Sequence, residues 1–231
     1  YKSFVDAEAA TLLTGTTEFA AAIKATDVSK AKALYAPTRV AWERIEPVAE
    51  SFGDLDPKMD AREGDLDPGA AWTGWHALEK QLWVTGLQED ASALADQLVA
   101  DTQDLVTRIA TIELTLSQIS NGAKELLDEV ATGKVTGEEE RYSHTDLWDF
   151  DANVYGALKA VEVSRDILAA KDAALLADLD AAFAALNTEL AKHKVGDGFK
   201  LYTELTPAEV KALATLVEAC SEPLSKMTAA L

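Results

Sequence analysis

Apolar residues recur at intervals of three and four along almost the whole chain, and no strict alternation of useful length interrupts them. That period restricts the fold to packed helices. Phe4, Ala7, Leu12, Phe19 and Ile23 form the first stripe, and Thr26-Asp27 stands where it can cap the next helix. Val28 to Phe52 is helical in pattern, but Pro37 and Pro47 each remove a backbone donor, so a kink or restart is expected at both. A helix from about Trp72 to Leu87 comes next, then one from about Asp90 to Ser120 bearing Leu94, Leu98, Leu105, Ile109, Ile112, Leu116 and Ile119. Asn121-Gly122 is expected to interrupt it, leaving a short helix Lys124–Val130 that stops at Gly133. Ser143 and Asp146 resemble a capping box opening a helix to about Ala170. Asp172 to His193 is another alanine-rich helix, Gly196-Asp197-Gly198 a turn, and Thr206-Pro207-Ala208-Glu209 the start of a last helix ending near Leu231. The expectation is an all-α chain of about seven or eight helices, stacked as two four-helix bundles over about 1–120 and about 121–231.

Charge narrows the function. Lys+Arg total 21 against Asp+Glu 40, a formal net charge of −19, which repels phosphate backbones and anionic lipid and draws dissolved cations. Nucleic acid is therefore excluded as the main partner, and no apolar run is long enough to span a membrane. The lone Cys220 can form no intrachain disulfide and reads as a small buried apolar residue. A chain that opens at Tyr1 without a leader is compatible with a secretory signal already removed.

Three segments carry chemistry. In Gly74-Trp75-His76-Ala77-Leu78-Glu79, His76 and Glu79 lie three apart and share a helical face, so an imidazole and a carboxylate can take one cation. Trp72 and Trp83 extend that stripe and would exclude water, while Trp75, Leu78 and Leu82 make a second stripe that can anchor the helix in a core. The plain alternative is an i,i+3 ion pair. Arg39, Glu43, Glu46 and Glu50 form a second stripe with Tyr35, for which the alternative is a solvated acidic face. The acidic stretch Gly53–Gly69 is too long for mere punctuation and supplies Asp60, although loop aspartates commonly serve turns. In the third segment, Asp146, Asp149 and Asn153 share a face, where acidic residues also suit a helix N-terminus. His193, flanked by lysines, reads as a partner of a helix C-terminus. No His-Glu-x-x-His zinc helix is present, Lys80 stands where the inverted zinc motif needs histidine, and EF-hand and phosphate-loop patterns are absent.

Gly74-Trp75-His76-Ala77-Leu78-Glu79-Lys80-Gln81-Leu82-Trp83 resembles the Gly-x-His-x-x-Glu signature of imelysin-like proteins. Trp42-Glu43-Arg44-Ile45-Glu46-Pro47 with Asp60-Ala61-Arg62, and Arg141-Tyr142-Ser143-His144-Thr145-Asp146-Leu147-Trp148, resemble the flanking segments of the EfeO-type branch. The resemblance implies a bilobal all-α fold of two four-helix-bundle-like halves around a cleft. It implies metal ligands His76, Glu79, Glu43, Glu46 and Asp60, with Arg39, Asp146 and Asp149 supporting them or facing them. It implies an extracytoplasmic protein, periplasmic or at the cell surface, with a lipid anchor compatible with that place, that hands iron to a membrane permease beside a secreted haem peroxidase. Iron as Fe3+ or Fe2+ suits one imidazole among carboxylates, and zinc or manganese could substitute. Many such proteins add a cupredoxin-like domain, for which this chain has no β-rich segment. A metallopeptidase using Glu79 as base and a polysaccharide binder using the tryptophans are the rival readings.

Overall fold

The computed structural model describes residues 1–231, the side chain of Glu50 excepted, and among the described residues the chain forms ten α-helices. They are α1 (Lys2–Lys24), α2 (Val28–Glu43), α3 (Glu46–Glu50), α4 (Asp56–Met59), α5 (Gly74–Lys80), α6 (Ala91–Thr111), α7 (Leu116–Thr132), α8 (Asp146–Lys171), α9 (Ala173–Ala191) and α10 (Pro207–Ala230). One short antiparallel hairpin, β1 (Lys194–Val195) with β2 (Gly198–Phe199), turns at Gly196. No described helix is long and apolar enough to cross a membrane.

The chain divides into two compact units. The N-terminal unit comprises Ser3–Ile112 and Glu140–Ser143. In α1, Val5, Ala9, Leu12, Phe19 and Ile23 are buried at helical spacing. Asp27 caps α2, accepting from the Lys30 N–H at 3.0 Å. Phe19, Tyr35 and Trp75 form a ring cluster, with centroids 5.2 Å apart for Phe19–Trp75 and 6.0 Å for Tyr35–Trp75. Pro37 is accommodated inside α2, whereas the expected restart at Pro47 occurs: α2 ends at Glu43 and α3 begins at Glu46.

The C-terminal unit comprises Tyr1–Lys2, Glu113–Glu139 and His144–Leu231. Here α7 packs on α8 and α10, and α9 packs on the same two. Leu127, Val130, Phe150, Val161, Phe183 and Val217 fill the interior with their neighbours. Cys220 is buried there, and burial pushes its thiol up to about 12.

Three local expectations are corrected. The long helix breaks at 112–115 rather than at Asn121-Gly122, because Thr115 and Gln118 close a capping box that starts α7, and Asn121 and Gly122 lie within that helix. Ser143 does not cap α8. Its hydroxyl donates to Glu140 Oε2 at 2.9 Å, and Thr145 is the N-cap residue, without a side-chain cap bond. The Trp72–Leu87 helix is shorter, running as α5 from Gly74 and then into a π-helical turn, Gln81–Thr85.

Candidate metal centre

Four segments of the N-terminal unit meet at a buried cluster of charged side chains. Gly74 opens α5 at φ +84°, against the Met59 backbone, and this sets the helix that carries His76 and Glu79. Both side chains are buried, and His76 Nδ1 lies 3.2 Å from Glu79 Oε2. The other ring nitrogen, Nε2, lies 3.4 Å from Asp60 Oδ1, so the imidazole is held between two carboxylates. Asp60 ends α4 and accepts from the Trp42 indole N–H at 2.7 Å.

Arg39 on α2 joins the rest. Its Nη1 donates to Asp60, its Nη2 to Glu43 one turn along the same helix, and its Nε pairs with Glu140 Oε1 at 2.6 Å. Glu140 also accepts from the Tyr35 hydroxyl at 3.3 Å. Glu79 Oε1 accepts the backbone N–H of Tyr142 at 2.9 Å and of Ser143 at 2.7 Å. One ligand atom from each of His76, Glu79 and Glu140 falls within 4.8 Å of the others, a spacing that could hold a metal ion.

Electrostatics favour the ionised form of two carboxyls, Asp60 and Glu79, despite their burial. Burial opposes charge on Asp60, but Arg39 and His76 outweigh it and hold the carboxyl well below the usual carboxylate range. Burial likewise opposes charge on Glu79, which His76, the Ser143 N–H and a hydrogen bond with Glu140 bring below its ordinary value.

Of the residues singled out in the sequence, His76, Glu79, Asp60, Glu43 and Arg39 are therefore brought together. Glu46 is buried on the first turn of α3, beyond the break that separates it from Glu43, so the single stripe read through both is interrupted. Asp146 and Asp149 are buried on the first turn of α8, in the C-terminal unit. The expected stripe Trp72, His76, Glu79, Trp83 fails at both ends. Trp72 precedes α5 and donates to the Ala61 carbonyl at 2.6 Å, and Trp83 lies in the π-helical turn. Trp75, Leu78 and Leu82 are buried as expected. His193 is buried, and burial pulls its pKa below the ordinary value, which favours a neutral ring over a charged partner for a helix end. Glu140 escapes sequence reasoning: in the run Glu138-Glu139-Glu140 nothing in the pattern sets it apart, and its role emerges only from its burial and its contacts.

Residues 1–227 match the family described as Imelysin, which carries the label Peptidase_M75. The chain belongs to the imelysin family. This imelysin-family chain is 47% identical over 234 aligned residues to "Iron uptake system component EfeO" of Escherichia coli O157:H7. It has the same identity to the protein so named in Shigella flexneri. In both alignments all of this chain is covered, and it spans 62% of the relative's length. The family label names a peptidase, whereas these relatives are named for iron uptake.

Proposed function

We propose that this chain is an iron-binding component of an uptake system, holding the ion on His76, Glu79, Glu140 and Asp60, with Glu43 and Glu46 as further carboxylates. The observation that carries the reading is the buried cluster itself. Four buried carboxylates, Glu43, Asp60, Glu79 and Glu140, face one guanidinium and one imidazole. Excess negative charge withdrawn from water is costly unless a cation compensates it. One imidazole among carboxylate oxygens is a hard-leaning donor set that suits iron and admits zinc or manganese. The likeness to proteins named for iron uptake supports iron as the cargo.

In this reading the protein is extracytoplasmic, built as two four-helix-bundle-like lobes with Asp146 and Asp149 as supporting residues of the second. It delivers iron to a membrane permease, with a haem peroxidase in the same system. It turns nothing over. Glu79 is a poor general base for a peptidase, because two backbone N–H groups and His76 already stabilise its anion.

Titration calorimetry of metal-stripped protein with chelated Fe(III), and anaerobically with Fe(II), tests the proposal. The parent is expected to bind one ion in one redox state. His76→Ala, Glu79→Ala and Glu140→Gln should each lose tight binding while keeping parental helicity. Parental affinity in all three variants would remove the site. Peptide hydrolysis that disappears on chelation and in Glu79→Gln would restore the peptidase reading.

A further inference from the structure

His76 is 1% exposed and Glu79 and Glu140 are 0% exposed. Of the proposed ligands Asp60 is the most open, its side chain 6% exposed, so an ion reaches the other three only when some part of the protein moves. The segment Asp60–Thr73 is built to do so. Its ends are pinched together, with Thr73 Oγ1 donating to the Lys58 carbonyl at 2.7 Å. At the same neck, a Cβ on Gly74 would stand 2.1 Å from the Met59 carbonyl oxygen. A loop with closed ends and its own internal ties is an Ω-loop, a form frequently functional. Here the internal ties are Trp72 Nε1 to the Ala61 carbonyl at 2.6 Å and Arg62 Nε to Asp65 at 2.9 Å. Gly64 and Gly69, both at φ +93°, take a backbone conformation that other residues rarely adopt, and nothing lies within 4 Å of where a Cβ would be.

Glu63 ties this loop across to the site. Its carboxylate accepts from Lys80 Nζ and from the Tyr142 hydroxyl, and its carbonyl accepts from Arg141 Nη1 at 2.7 Å. Each partner adjoins a carboxylate of the cluster: Lys80 comes directly after Glu79, Arg141 directly after Glu140, and the Tyr142 N–H bonds Glu79. Asp60, three residues before Glu63 at the start of the loop, reaches His76. The Glu63 and Lys80 side chains are 46% and 29% exposed, so water competes for their contact and release is easy.

We propose that Asp60–Thr73 is the gate of the ion site and that Glu63 is its latch. The proposal rests on the ion-carrier reading, which it extends from binding to exchange. Loop closure and assembly of the site are one event, because the groups that hold Glu63 are chain neighbours of the carboxylates that face the ion.

The test uses the full chain with Glu63→Ala and, separately, Tyr142→Phe. In metal-free protein, diethyl pyrocarbonate labelling of His76 is followed by mass spectrometry, with buried His193 as internal control. Glu63→Ala should label His76 about threefold to fivefold faster, the change expected when an exposed ion pair no longer opposes local opening, with His193 unchanged. In stopped-flow iron exchange, association and dissociation should both accelerate, leaving Kd within roughly threefold of the parent. Tyr142→Phe should move both readouts in the same direction by less. If the parent binds no iron, the carrier reading fails, and His76 labelling still judges the gate. If the parent binds iron while labelling and exchange are unchanged in both variants, the gate is refuted. A weakened Kd without faster association would also overturn it, by reducing Glu63 to a scaffold for Lys80 and Tyr142.

Discussion

Replacing Arg39 by methionine isolates the electrostatic argument. Methionine keeps much of the volume of a side chain that is fully buried, but it removes the cation shared by Glu43, Asp60 and Glu140. Removing one partner from a buried ion pair typically destabilises by about 3–5 kcal/mol, because the remaining charge is left uncompensated. With a urea m-value of roughly 2–3 kcal/mol/M, the metal-free midpoint should fall by about 1–2 M. The loss has a direction in pH. Without Arg39 the Asp60 carboxyl loses a cation that holds its pKa down, so the deficit should be largest at neutral pH and shrink towards pH ~4 as that carboxyl takes up a proton instead. Urea melts of both proteins across that range, followed by far-UV circular dichroism, measure it. A deficit below about 1 kcal/mol, or one that does not vary with pH, would refute the account of Arg39 as the internal counter-charge.

Three further outcomes rest on single contacts. Gly74→Ala combines a φ of +84° with a Cβ placed 2.1 Å from a backbone oxygen. It should destabilise by about 2–5 kcal/mol in chemical denaturation, and a midpoint like the parent's would count against the tight neck. In the parent, Asp60 and Glu79 titrate below their ordinary values in the folded state. The stability they contribute is present above the unfolded carboxylate pKa of about 4 and lost as pH falls through the folded values, so thermal melts should decline on the acid side. Cys220, buried and with its thiol pushed up to about 12, should resist a thiol reagent in native protein at mildly alkaline pH and react fully in denaturant.

Local rules make most of the helices legible and leave particular boundaries hidden. The period of three and four places Val5 through Ile23 on one buried face, and Asp27 and Thr206 cap the helices they precede. The break before α7 is masked because Leu116 and Ile119 continue the apolar spacing straight across it. Its signal is nonetheless present, a threonine with a glutamine three residues later. Asn121 and Gly122 look like a stop, yet they sit inside the helix, where Thr228 of α10 donates to Asn121 Oδ1 at 2.7 Å and bonds Ser120 at the same distance. Tertiary contact overrides propensity there.

The candidate site divides along the same line. His76 with Glu79, and Arg39 with Glu43, are neighbours on a helix surface, so their spacing is their signal. Glu140 lies in no periodic element, and its part depends on a neighbouring segment rather than on its own. The π-helical turn after Lys80 shows how. A turn with one extra residue rotates the chain beyond it, and such turns frequently mark functional sites. Trp83 lies within it, its ring 5.4 Å from that of Tyr35, with Lys32 Nζ 5.0 Å above the indole. Tyr35 is fully buried between this ring and Trp75, and its hydroxyl reaches Glu140. Glu140 is thus held by Arg39, by the Ser143 hydroxyl and by Tyr35, itself fixed between two rings, and only the Ser143 contact is local in sequence. A carboxylate held in this way becomes visible only once the helices on either side of it are packed.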